Sequence, residues 1–133
     1  KKFTCNDKIF IDRSASLSKH CQFINDKEIS EFLINKGFTK YKTENLNFFE
    51  EVYLFKNANY VIGAHGAGLA NLAFCKKGTK IIEIRPENNT NSLYSKLSDI
   101  NNLDYRLIST DVVETQNQSF GDINLDINQL KNL

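Results

Sequence analysis

The chain has 133 residues, one domain's worth. With 17 Lys+Arg against 16 Asp+Glu, the net charge of +1 excludes a strongly basic nucleic-acid binder and an acidic disordered tail. Hydrophobic residues make up 41%, which fits a soluble domain with its own core, and the longest near-apolar run, 60–70, is too short to cross a membrane and contains His65.

Residues 8–12 read as a strand. Asn25 opens a helix as its cap, with Glu28 at the reciprocal position; Ile29, Phe32 and Leu33 are its apolar face and Gly37 ends it. Residues 38–42 form a second strand. Asn47 and Glu50 open the next helix in the same way, with Phe48, Val52 and Phe55 at i, i+4, i+7; Phe48 and Phe49 are expected in the core. Residues 59–63 form a third strand, apolar enough to be buried on both faces. A short helix is expected over 66–74, and a fourth strand over 79–84, stopped by Pro86. Leu93, Leu97 and Ile100 mark a further helix, residues 105–109 a fifth strand, and Ile127 with Leu130 a terminal helix capped by Asp126.

Strands alternating with helices give right-handed crossovers and a parallel sheet covered on both faces. The expectation is an α/β, Rossmann-like three-layer domain with about five parallel strands, spanning 1–133 as one unit. Met is absent, at position 1 as elsewhere, so the chain is expected to be a piece of a longer protein. No signal peptide is visible. The three cysteines, Cys5, Cys21 and Cys75, are too few and too scattered for a disulfide framework, and with only two histidines no metal site is expected. Reduced thiols place the chain in the cytoplasm, with the inner face of a membrane as a variant. Sequons at Asn88 and Asn117 carry no weight.

Ligands of such sheets sit beyond the carboxyl ends of the strands, near the point where strand order reverses. Asp12, Arg13 and Ser14 follow the first strand; Gly63-Ala64-His65-Gly66-Ala67-Gly68 follows the third; Glu83 and Arg85 stand at the end of the fourth. The three glycines are expected to allow positive φ and close approach to a phosphate, and the next helix to aim free N–H groups at it. Arg13 supplies a bidentate clamp, His65 a hydrogen bond, and Glu83 a carboxylate for ribose hydroxyls. Each has a plainer reading: a tight turn, a satisfied histidine, surface arginines and a salt-bridge carboxylate. Cys75 reads as a small apolar filler.

The run Val61-Ile62-Gly63-Ala64-His65-Gly66-Ala67-Gly68-Leu69-Ala70-Asn71, followed by Phe74 and by Gly78-Thr79-Lys80-Ile81-Ile82-Glu83-Ile84, resembles glycosyltransferase family 61. Upstream, Ile11-Asp12-Arg13-Ser14, Ile24-Asn25-Asp26 and Asn45 to Glu50 fit the same family in order and spacing. The similarity runs over about 8–110.

The resemblance implies the carboxyl-terminal, donor-binding domain of a GT-B enzyme, in which two Rossmann-like domains face each other across a cleft. It implies an inverting, metal-independent hexosyl- or pentosyltransferase that uses UDP-sugars, with no cofactor beyond that co-substrate. Bacterial relatives make capsular or surface polysaccharide, and the Lys/Asn/Ile bias points to a bacterium. Donor-binding residues would be Arg13, Ser14, His65, Gly66, Ala67, Gly68, Asn71 and Glu83, with His65 catalytic through the leaving group. The general base and the glycan acceptor would belong to an amino-terminal domain outside this chain, so this piece alone would bind donor without transferring sugar.

Two positions depart from the family's pattern. Cys21 and Gln22 stand where a second basic residue is usual, with Lys19 or His20 as substitutes. Glu51 stands where Gln is common, and is expected to point away from a diphosphate. The rival readings are a GT-B sugar-nucleotide epimerase, a non-catalytic nucleotide-binding module and a phospho-receiver. The last lacks the Asp after the third strand and the Lys after the fifth that it would need.

Overall fold

In a computed structural model of the chain, residues 5–12, 22–111, 113 and 122–132 are described. Five strands, β1 (Lys8–Ile11), β2 (Thr39–Tyr41), β3 (Tyr60–Ala64), β4 (Lys80–Pro86) and β5 (Asp104–Thr110), alternate with α1 (Asp26–Asn35), α2 (Phe48–Asn57) and α3 (Leu93–Ile100). Three 3₁₀ segments complete the described chain: Thr43–Asn45, Ala67–Phe74 and Ile127–Leu130.

All four strand pairings are parallel, in the order β2-β1-β3-β4-β5. The chain moves outward from β1 to β2, then returns past β1 to β3. The strand order therefore reverses between β1 and β3, and that switch point is where the carboxyl edge of the sheet opens. The α/β, Rossmann-like three-layer reading stands.

Alternation along the strands builds one core on each face. Phe10, Ile62, Ile82 and Ile84 pack under α1 and the 127–130 turn, with Ile29, Leu33 and Leu130. Ile9, Ile11, Val61 and Ile81 pack on the other face under α2, the 67–74 helix and α3, with Leu54, Phe55, Leu69, Leu72 and Tyr94. The fully buried aliphatic side chains each contribute roughly 1.5–3 kcal/mol by leaving water, and they are what holds the carboxyl edge in place.

Helix ends follow local chemistry. Asn47 and Glu50 form a reciprocal capping box at the start of α2, and the Asp126 side chain accepts from Asn128 N. Gly37 closes α1 with φ +91°, a conformation L side chains rarely adopt. Asn25 differs from expectation: its side chain does not cap α1. It donates to the Leu125 carbonyl at 2.8 Å and accepts from Leu125 N, tying the tail to the body of the domain.

Three further expectations are corrected. Phe48 and Phe49 are 61% and 81% exposed, because α2 turns Leu54 and Phe55 to the sheet and leaves its first turn at the rim. Phe48 instead lies edge-on to Phe49 and Phe74. On α3, Leu93 and Ile100 are exposed while Tyr94 and Ser98 are buried. Pro86 is the last residue of β4 rather than its stop; it pairs only with Thr110 of β5, beyond the end of β3, where a missing N–H costs no ladder bond to that side.

Candidate functional site at the carboxyl edge

β3 delivers His65 to the carboxyl edge. The His65 backbone N–H donates to the Ile84 carbonyl at 2.8 Å, continuing the β3–β4 ladder one residue past the strand. The residue is 8% exposed, and its ring packs against Tyr94 of α3, with centroids 5.0 Å apart at 60°. Nδ1 meets Glu83 Oε2 at 2.5 Å. Glu83 is an inward-facing residue of β4 with no exposed surface, so its carboxylate needs partners where it stands. The Tyr105 hydroxyl donates to the other oxygen, Oε1, at 2.5 Å.

These contacts fix the chemistry of the ring. A carboxylate accepts, so Nδ1 carries the proton and Nε2 carries whatever the ring contributes to a ligand. Tyr105 stays a donor: burial, then its hydrogen bond to Glu83 and the charge of Glu83, push its hydroxyl pKa well up, with Arg85 opposing. Glu83 therefore acts through His65, as a buried carboxylate orients an imidazole in other His–carboxylate pairs. The expectation that Glu83 holds a ribose is corrected, because a fully buried carboxylate with both oxygens engaged cannot reach one.

After His65 the chain enters the 67–74 helix, capped by Gly66. It is a 3₁₀ rather than an α-helix. Its first turn closes through Leu69 N to the Gly66 carbonyl, which leaves the N–H groups of Gly66, Ala67 and Gly68 without partners inside the helix. The Ala67 and Gly68 amides open at the start of the helix, an arrangement that can meet an anion, whereas the extended backbone of Gly66 turns its own N–H to the opposite side.

The glycines serve close approach, not the positive φ expected of them. Gly66 is extended at φ 165°, and the described positive-φ glycines are Gly37 and Gly78. A Cβ on Gly63 would lie 3.3 Å from Ile11 Cβ and 3.4 Å from Leu69. One on Gly68 would lie 3.3 Å from Ile11 Cγ2 and 3.4 Å from Thr43 Oγ1. The loop thus folds down over the end of β1, at the switch point. The Asn71 side chain donates to the Gly68 carbonyl at 3.1 Å and braces the turn.

Arg13 and Ser14 lie outside the described residues, as do Lys19, His20 and Cys21. Asp12, at the end of β1, is buried and faces Lys40 at 3.8 Å and Lys42 at 4.0 Å. Arg85 ties down the loop after β4 by donating to the Asn91 carbonyl. Among the described residues no three His, Cys, Asp or Glu side chains gather as a metal site would need. None of the described helices is long and apolar enough to cross a membrane.

Glu51 lines a cleft of about 360 Å³ with Thr43, Glu44, Gly68, Ala70 and Asn71. Burial first, then the charge of Glu44, raise its carboxyl above the ordinary value. Sequence reasoning also missed Tyr105. Its signal was available only through register: Ile81 pairs with Tyr105, so Tyr105 shares a sheet face with Glu83 two residues on.

The model of the family described as Glycosyltransferase 61 matches residues 1–82. The chain belongs to glycosyltransferase family 61. The match takes in Arg13, Ser14 and the whole His65 to Asn71 segment and stops one residue short of Glu83. No curated protein matches the chain. As a family 61 glycosyltransferase, it has a nucleotide-sugar donor and a glycan acceptor implied for it.

Proposed function

We propose that this chain is the donor-binding half of a two-domain, GT-B-type enzyme that takes a UDP-sugar and transfers its hexosyl or pentosyl group to a glycan. The reading extends to inversion at the anomeric carbon and to catalysis without a metal. The observation that carries it is the juxtaposition of the open Ala67 and Gly68 amides with an imidazole whose Nδ1 is held by a buried carboxylate.

In this mechanism the acceptor hydroxyl attacks the anomeric carbon as the diphosphate leaves from the opposite face. Negative charge grows on the leaving oxygen, and fixed donors must meet it. The Ala67 and Gly68 amides bind the diphosphate in the ground state, His65 addresses the leaving oxygen through Nε2, and Arg13 and Ser14, the next residues in the sequence after Asp12, are further donor contacts in this reading. Asn71 holds the loop. Glu83 and Tyr105 position His65. Losing one such donor costs roughly 3 kcal/mol of transition-state stabilisation. The general base lies in a partner domain of the full enzyme, which belongs to bacterial surface-polysaccharide synthesis on the cytoplasmic side.

The test is a transfer assay with labelled UDP-sugar, run on the full-length enzyme and on the 133 residues alone, each with and without chelator. Transfer by the full-length enzyme only, unaffected by chelator and with inverted product, is expected. Transfer by the 133 residues alone, or loss on chelation, contradicts the reading; epimerised free sugar without transfer makes the protein an epimerase.

A further inference from the structure

The cleft beside the amide cradle has a lining unlike that of the cradle. Thr43 and Glu44 come from the turn after β2, Glu51 from the first turn of α2, and Gly68, Ala70 and Asn71 from the helix after β3. It sits at the carboxyl edge, across the end of β1, and its 360 Å³ falls at the small end of the range for small-molecule sites. No Lys, Arg or His is among its described lining residues. Two carboxylates face it, so it disfavours a phosphate.

A second feature points to a ligand. Thr43 is more than nine-tenths buried and lines the cleft, yet no described residue hydrogen-bonds its hydroxyl. That hydroxyl keeps contact with solvent, and a ligand hydroxyl in the cleft would take the place of water on it. Gly68 is the residue on which the two regions meet. Its amide belongs to the cradle, and its missing Cβ leaves the space beside Thr43 Oγ1 open.

We infer that this cleft holds the transferred sugar of the donor, and that Glu51, Glu44 and Thr43 select an uncharged, hydroxylated ring against a carboxylated one. The inference rests on the donor-binding reading above. A sugar joined directly to the diphosphate must lie beside the cradle, and the cleft is a cavity among the described residues that shares Gly68 with it. Carboxylates accept from sugar hydroxyls, and they repel the carboxylate of a uronic acid. For like charges about 6 Å apart in a partly solvated site that repulsion is worth roughly tenfold in affinity.

The experiment titrates the protein with UDP, UDP-glucose and UDP-glucuronate, which share a nucleotide and differ in the sugar or its charge. Wild type is compared with Glu51→Gln and with the near-isosteric Thr43→Val. The expected wild-type result is UDP binding with UDP-glucose preferred about tenfold over UDP-glucuronate. Glu51→Gln should bring that preference within about threefold, and Thr43→Val should weaken UDP-glucose about fivefold, both leaving UDP itself unchanged. A preference that Glu51→Gln does not move overturns the inference while the donor reading stands. An equal shift for UDP itself puts the ribose in the cleft and also overturns it. A Glu51→Gln effect confined to a free oligosaccharide, titrated onto UDP-saturated protein, assigns the cleft to the acceptor instead. No UDP binding by wild type removes the donor reading itself.

Discussion

The Tyr105 hydroxyl donates to Glu83 Oε1 at 2.5 Å, across a β4–β5 pairing in which its direct partner is Ile81. The fifth strand thus reaches back to brace the carboxylate that holds His65, though it carries no residue of the anion cradle.

Removing that brace should show in both stability and binding. Tyr105→Phe keeps the ring and deletes one donor, leaving a buried carboxylate oxygen unpaired, at a cost of about 1–3 kcal/mol. Denaturant midpoints measure it. Because Tyr105 acts only through Glu83 and His65, Tyr105→Phe should weaken UDP less than His65→Ala does.

Two glycine substitutions should separate packing from backbone conformation. Gly68→Ala forces a Cβ against Ile11 and Thr43, and Ile11 is buried and cannot retreat, so about 1–2 kcal/mol is expected. Gly78→Ala meets nothing within 4 Å but must hold φ +85°, which costs about 1 kcal/mol. Equilibrium unfolding should find both destabilised. Nucleotide affinity should fall only for Gly68→Ala, which alone touches the site.

Glu51 should give a pH-dependent stability. Its carboxyl is raised above 4.5 by burial, then by Glu44. A raised acid contributes stability below its unfolded pKa and loses it as pH rises through the folded one. Glu51→Gln should therefore be the more stable protein at pH 7, by up to about 0.5 kcal/mol. The advantage should vanish below about pH 4. Thermal melts at the two pH values check the sign, and a wild type more stable than the variant at pH 7 contradicts it.

Cys75 should be chemically silent in the native state. Burial pushes its thiol up to about 12, so almost no thiolate exists at pH 8. A thiol reagent at pH 8 should label Cys75 only after denaturant is added; rapid native labelling would show that its side of the core opens.

The sheet was legible because its strands are continuous apolar runs between turn signals, and each expected strand lies within two residues of an observed one. The caps at Asn47 and Asp126 were legible because they are local. Helix facing was less so. Phe48 and Phe49 look like core by spacing, but which turn overhangs the sheet edge is decided by tertiary packing. In the site, the His65 to Gly68 segment could be read directly. The role of Glu83 could not, because whether a strand-end carboxylate faces a ligand or a histidine depends on strand register and burial. Asn25 shows the same limit, its partner being Leu125, a hundred residues away.

The central claim is that the carboxyl edge binds a nucleoside diphosphate through the Ala67 and Gly68 amides and His65. The most direct measurement is calorimetric titration of the folded protein with UDP, ADP and GDP, with His65→Ala and Arg13→Ala alongside. Saturable binding that prefers UDP and weakens at least about tenfold in both variants is the predicted result. UDP affinity equal in wild type and both variants, with folding verified by circular dichroism, would contradict the claim and leave the glycine-rich turn a structural feature alone.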